Sequence, residues 1–255
     1  LNIYIFLLIS ILIIFTYFYP LILFTHMNLT PIAKKIFLLV LVTVFSCSKS
    51  DELLQRNELV YNNDFESGDL EAIDGAQLMT FNNTTVLGNF NNDGFTLNLN
   101  NIGPHDFIYI SFDLYIHDSW DGNFNNIEPD QPDAWFIELR PDIDTYPTIP
   151  FNVWETSFSN GVCNSVYCLR QSYPNVFPFE NLPREGSSRL LPGLCSLASN
   201  GDGTTLYTIE KGFEHTGNAL LIRFYDQLYQ PNAVDKRCDE SWSLDNLKVR
   251  VITFE

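Results

Sequence analysis

Positive charge is scarce in this chain. Its 255 residues carry 14 Lys and Arg against 31 Asp and Glu, a formal net charge of −17 at pH 7. Nucleic acid and anionic lipid surfaces are therefore repelled, which excludes polyanion binding as a function class. Catalytic signatures are missing too. The sequence has no Gly-x-Ser-x-Gly elbow, no His-Glu-x-x-His and no Glu-x-Asp-x-Glu strand of the laminarinase-like sandwiches, so hydrolytic chemistry has no motif to carry it. Runs of Ala, Glu and Lys at helical period are absent, whereas Phe, Tyr and Asn are frequent. That composition favours strands joined by turn-rich loops over helices.

The charge is also unevenly spread. Residues 1–26 hold no charged side chain apart from His26, and they lead with the apolar run Ile3 to Ile14. This segment is expected to be upstream translation or a spurious hydrophobic extension; the alternative is a true membrane span, since such a run is near the roughly 20 residues needed. Met27 opens a second leader with Lys34 and Lys35, an apolar stretch from Ile36 to Phe45, then Ser46 and Cys47. Val44-Phe45-Ser46-Cys47 resembles the end of a bacterial lipoprotein signal, which implies cleavage before Cys47 and lipidation of its thiol and new amino group. Residues 27–47 are then the signal, 48–60 a polar tether, and 61–255 the folded domain. Such a protein is membrane-anchored by lipid only, on the cell surface or in the periplasm.

Four cysteines follow Cys47: Cys163, Cys168, Cys195 and Cys238. An even number in an exported chain predicts two disulfides. Of the three pairings, Cys163 with Cys168 and Cys195 with Cys238 are favoured, one a local clip and the other a long-range tie. Zinc at Cys163 and Cys168 is the alternative, but a second ligand pair at knuckle spacing is lacking.

Within the domain, apolar residues alternate between turn clusters. Phe95, Leu97 and Leu99 form one set; Ile108, Ile110, Phe112, Leu114 and Ile116 a second; Trp135, Ile137 and Leu139 a third. Leu206 to Phe213, Leu220 to Tyr225 and Leu244 to Phe254 continue the series, with Asn91-Asn92-Asp93-Gly94 and Asn200-Gly201-Asp202-Gly203 as turns. Period-two strands without βαβ alternation predict an all-β fold, a two-layer antiparallel sandwich of jelly-roll, concanavalin-like topology. On the strand from Phe107 to His117 the second face carries Tyr109, Asp113, Tyr115 and His117. Aromatic and polar groups mixed in this way suit sugar binding, with Trp120 alongside, although a loop of the same domain can equally cover such a face.

In the last strand Trp242 and Leu244 share one parity while Leu247, Val249 and Val251 take the other, so a bulge is expected near Asp245-Asn246. Asn63-Asp64-Phe65-Glu66-Ser67-Gly68 stands at the domain's start. Asp64-Phe65-Glu66 together with Ser241-Trp242-Ser243-Leu244-Asp245-Asn246 resembles the bracket of jelly-roll carbohydrate-binding modules and MAM-type sandwiches. That resemblance implies a structural calcium shared by Glu66 and Asp245. Three further stretches, Phe112 to Asn123, Pro132-Asp133-Ala134-Trp135 and Gln171-Ser172-Tyr173-Pro174, resemble a bacterial exported domain without assigned activity. The resemblances together span most of residues 61–252.

Asp118, Asp121, Asn123, Asp130 and Asp133 crowd one connection and form a candidate second cation site, though without the ligand spacing of an EF-hand. His105 and His215 stand in similar turns, where local hydrogen bonding explains them. The leading expectation is a non-catalytic module recognising carbohydrate or a surface polymer. The rival is a hydrolase drawing its acid pair from Asp113, Asp118, Asp121, Asp133 and Glu240, which needs two carboxylates across one cleft; a structural envelope protein without a small ligand is the third.

Overall fold

Residues 54–123, 132–140, 152–166, 168–195, 197–230 and 233–254 are described by the computed structural model of the chain. Cys47, the two leaders and Asp130 lie outside them. The strands in order are β1 (Leu54–Asn63), β2 (Ile73–Asp74), β3 (Leu78–Phe81), β4 (Thr84–Phe90), β5 (Gly94–Asn100) and β6 (Phe107–Asp118). Then come β7 (Ala134–Arg140), β8 (Asn152–Ser157), β9 (Arg189–Leu191), β10 (Thr204–Glu214), β11 (Ala219–Gln227) and β12 (Glu240–Phe254). A single helical turn, α1 (Lys236–Asp239), precedes β12 and is capped by the Asp235 carboxylate.

Two antiparallel sheets make up the jelly-roll sandwich. One runs β3-β4-β12-β6-β10-β9, with β1 paired to the second half of β12; the other runs β2-β5-β11-β7-β8. Period-two alternation explains why they stack. In β6, Ile108, Ile110, Phe112, Leu114 and Ile116 are buried, and in β11 so are Leu220, Ile222 and Phe224, while Arg223 between them is exposed. Phe112 meets Trp135 and Phe224 across the layers at 5.6 and 5.5 Å, and Trp242 meets Trp135 edge-on at 5.5 Å. Each such side chain stabilises the sandwich by about 1.5–3 kcal/mol through burial.

The expected slip in the last strand is present. The β12–β6 register shifts between Asp245 and Lys248, Asn246 takes φ 54°, and Leu247, Val249 and Val251 return to the core. The two disulfides pair as favoured, Cys163 with Cys168 and Cys195 with Cys238. One expectation needs correcting: the sandwich begins before residue 61. β1 starts at Leu54, which pairs with Phe254. Among the described residues its ladder is with β12 alone, so it runs as an edge, and polar side chains along it gave no apolar period to read.

Candidate functional site

The outer face of the seven-stranded sheet, the expected binding surface, is largely covered. Phe81 of β3 packs edge-on against Tyr115 at 5.4 Å and against His117 at 4.6 Å, and Val86 and Leu191 complete a satellite apolar cluster. His117 is fully buried between the hydroxyls of Thr204 and Ser243, at 2.9 and 2.7 Å. Burial pushes it down to about 3, so it stays neutral. Trp120 is also fully buried, and its indole N–H donates to the Ser241 carbonyl at 2.9 Å, leaving no ring face for a sugar. Tyr109 remains 45% exposed. Asp113 is committed to Thr208 Oγ1 at 2.7 Å and Asn246 Nδ2 at 2.9 Å. The five residues thus form no open platform.

Glu66 and Asp245 do come together. Thr84 Oγ1 lies 2.5 Å from Glu66 Oε1 and 3.2 Å from Asp245 Oδ2. Glu66 also accepts from the Thr85 amide at 2.8 Å, and the donors of Thr84 and Thr85 hold it below the usual carboxylate range. Asp245 is pushed up to about 6, mainly by burial, with the charges of Asp113 and Glu66 adding to it. Its Oδ1 accepts from the Asn246 amide at 2.7 Å, within the bulge.

The second acidic group does not gather as expected. Asp118 turns to the Cys195 and Leu197 amides, the latter at 2.9 Å. Asn123 turns to Phe179 O, Glu180 and the hydroxyls of Ser157 and Ser172. Asp121 and Asp133 stay together, because Asp133 Oδ2 accepts the backbone N–H of Asp121 at 2.6 Å and of Gly122 at 3.2 Å. Glu240, the first residue of β12, joins them. Burial pushes it well above the ordinary carboxylate range, and the charges of Asp133, Asp121 and Asp239 push it further. Asp133 is raised to about 8, again chiefly by burial. Among the described residues no three His, Cys, Asp or Glu side chains form a ready-made metal ligand set. His105 and His215, expected to bond only their own turns, pair with each other: Nε2 of His105 lies 2.7 Å from Nδ1 of His215.

A groove lies on the other sheet. β11 and β7 place Tyr225 opposite Phe136, Arg223 opposite Glu138 and Gln227 opposite Ala134 on the outward face; β8 adds Glu155 opposite Phe136. Tyr225 and Phe136 stack at 4.6 Å, and the Arg223 guanidinium lies 4.3 Å from the Tyr225 ring. At the Gln227 end of this face a groove of about 370 Å³ opens. Ala134, Gln227 and Glu155 line it together with Phe177, Tyr229 and Asn92. A small residue at Ala134 leaves the space, and the turn that carries the chain from β4 in one sheet to β5 in the other supplies Asn92 to the lining. Burial raises Glu155 above the usual carboxylate range.

The chain matches no known family model and no curated protein. Among solved structures it is similar to a carbohydrate-binding module, CBM28, specific for non-crystalline cellulose: 12% identity over 78% of this chain and 94% of that one, with a TM-score of 0.34. It is also similar to the K3 cleaved adhesin domain of Lys-gingipain from Porphyromonas gingivalis W83, at 10% identity over 75% and 99% of the two chains and a TM-score of 0.38. The K2 cleaved adhesin domain of Lys-gingipain matches at 13% identity, 74% and 96% coverage and a TM-score of 0.32.

A larger groove, about 480 Å³, lies at the end of β1 between Tyr61, Asn63, Asp64, Asp69 and Glu71. Three carboxylates and one aromatic ring suit an apolar-faced ligand less well than the Phe177–Tyr229 groove, which therefore ranks first on chemistry despite its smaller volume. The sequence reading missed the groove residues. The alternation in Ala134-Trp135-Phe136-Ile137-Glu138-Leu139-Arg140 marks the outward set, but says nothing of the loops that bring Phe177 and Tyr229 beside it.

Proposed function

We propose that this protein is an exported, non-catalytic binding module that takes carbohydrate into the groove on the outer face of its five-stranded sheet. The observation that carries the reading is the make-up of the groove: two aromatic side chains, Phe177 and Tyr229, beside the hydrogen-bonding groups of Glu155 and Gln227. A sugar ring has an apolar face and a hydroxyl rim, and this pairing of surfaces answers both. The volume falls within the range of small-ligand sites, roughly 300–1,000 Å³. Glu155 is the one carboxylate among the described groove residues, which suits hydroxyl binding. The two disulfides fit an oxidising compartment. In this reading a lipid on Cys47 tethers the module to the membrane, and a structural calcium between Glu66 and Asp245 pins the domain's first loop to the bulge of β12.

Affinity electrophoresis of the full chain tests the reading, with gels containing β-glucan, xylan, mannan or pectin. At least one polysaccharide retards the wild type. Tyr229→Ala weakens that retardation tenfold or more, and Tyr109→Ala, on the opposite sheet, leaves it unchanged. Equal retardation of Tyr229→Ala and wild type removes the groove from the account, and free migration in every gel removes carbohydrate.

A further inference from the structure

We propose that the sugar seated in the Phe177–Tyr229 groove is an amino sugar with an unsubstituted amino group, whose ammonium pairs with the Glu155 carboxylate. The inference rests on the carbohydrate reading of that groove and narrows its ligand class. Several parts of the fold build the site. Glu155 lies on β8, and its own carbonyl accepts the Phe177 amide at 3.0 Å, so the two residues are fixed beside each other. Thr156 Oγ1 donates to the Asn175 carbonyl at 2.8 Å and pins the same loop a second time. Beyond the end of β11, the Tyr229 amide donates to the Asp133 carboxylate, just before β7. Asn92 holds Leu228 at both its amide and its carbonyl, each at 2.9 Å.

Glu155 is the unanswered charge. Among the described residues no hydrogen-bond donor and no base reaches its carboxylate, and burial is the one cause that raises it. The two arginines on the same sheet face are engaged elsewhere, Arg140 with Glu138 at 2.5 Å and Arg223 against the Tyr225 ring at 4.3 Å. Asn92 spends its side chain on Leu228, which leaves the Gln227 amide and the Tyr229 hydroxyl as the neutral polar groups of the lining. Positive charge has to come with the ligand.

These groups define the class of sugar. A half-buried carboxylate without a donor gains most from a charged one, because charge-assisted hydrogen bonds are the strong ones. Phe177 and Tyr229 add to the attraction, since the faces of aromatic rings favour a cation. A neutral sugar offers Glu155 hydroxyls alone. An acidic sugar is repelled by Glu155 and by a chain with 31 acidic against 14 basic residues. An amino sugar combines an apolar ring face for the two aromatics, hydroxyls for Gln227 and an ammonium for Glu155. Acetylating its nitrogen removes the charge and with it the match.

Titration calorimetry of the full chain in detergent provides the test, with tetramers of glucosamine, N-acetylglucosamine and glucose. The three share one β linkage and differ only in the substituent on carbon 2. The glucosamine tetramer is expected to bind at least tenfold tighter than the glucose tetramer, and the acetylated one to lose that advantage. Glu155→Gln brings the glucosamine and glucose tetramers to equal affinity. Glu210→Gln, on the opposite sheet, leaves the preference in place. If Glu155→Gln folds poorly by near-ultraviolet circular dichroism, salt decides: concentrated sodium chloride screens attraction by the surface, whereas the half-buried pair keeps its preference. Equal affinity of wild type for glucosamine and glucose overturns the amino-sugar inference and leaves the groove reading standing. So does a preference that survives Glu155→Gln or vanishes in salt, which is the pull of net charge alone. Tetramer affinities that Tyr229→Ala leaves unaltered remove the groove reading, and this inference with it.

Discussion

Asp226 lies on the core side of β11, where its carboxylate gathers three N–H donors. Trp242 Nε1 reaches Oδ1 at 2.8 Å, the Asn92 amide reaches Oδ2 at 2.6 Å and the Asp93 amide reaches Oδ1 at 3.2 Å. Burial outweighs these donors and raises the group from 3.8 to about 6. At 1.36 kcal/mol per unit, the ionised form is disfavoured by about 3 kcal/mol relative to the unfolded chain. Because the folded value lies above the unfolded one, the contribution of protonated Asp226 is complete below pH 4 and is lost as pH rises through about 6. Asp226→Asn cannot titrate. Between pH 5 and pH 7.5 the wild type should therefore lose about 1.4 kcal/mol of stability relative to that variant. Asp226→Ala instead strands the buried indole N–H and two amides, and should cost about 2–4 kcal/mol at pH 5. Urea unfolding followed by tryptophan fluorescence, with an unchanged denaturant slope, measures both. Parallel pH profiles for wild type and Asp226→Asn would refute the reasoning, as would an Asp226→Ala protein within 0.5 kcal/mol of wild type, about the ordinary range for surface substitutions.

Other perturbations separate core from surface and anchor from fold. Trp120→Ala should cost about 3–5 kcal/mol in the same unfolding assay, as expected of a buried aromatic, and a variant of unchanged stability would return Trp120 to the surface. Replacing Cys195 and Cys238 by Ser together opens a tie across 43 residues, a loss of about 4 kcal/mol on the chain-entropy account. Alkylation before reduction should label none of the four domain cysteines. Cys47→Ala should move the protein from the detergent phase to the aqueous phase, and full retention in the membrane would make residues 1–26 the anchor.

The fold was legible where one face of a strand is core and the other solvent. β5, β6, β7, β10, β11 and β12 all announce themselves by alternation, and the parity change from Leu244 to Leu247 located the bulge. β1, β8 and β9 did not, because they are short or polar along an edge, and β4, between β3 and β12, did not because Val86 and Leu87 are buried on opposite faces and break the alternation. The site was legible only in part. Glu66 and Asp245, singled out by their motifs, both reach Thr84 Oγ1, but nothing in the order of residues says that Phe81 folds over Tyr115 and His117. Covering of a sheet face is a long-range event, and residues 81 and 117 gain contact only through tertiary folding. The groove escaped notice for the same reason. Ala134, Glu155, Phe177 and Tyr229 come from separate strands and loops, each unremarkable alone.

Amide chemical-shift mapping of the isotopically labelled chain, titrated with an oligosaccharide cut from whichever polysaccharide retards it, tests the central claim most directly. The account predicts that the largest shifts cluster on Asn92, Ala134, Glu155, Phe177, Gln227 and Tyr229, with Tyr109, Asp113 and the Tyr61 groove unmoved. Shifts concentrated at Tyr109 and Asp113, or around Tyr61 and Glu71, would contradict it.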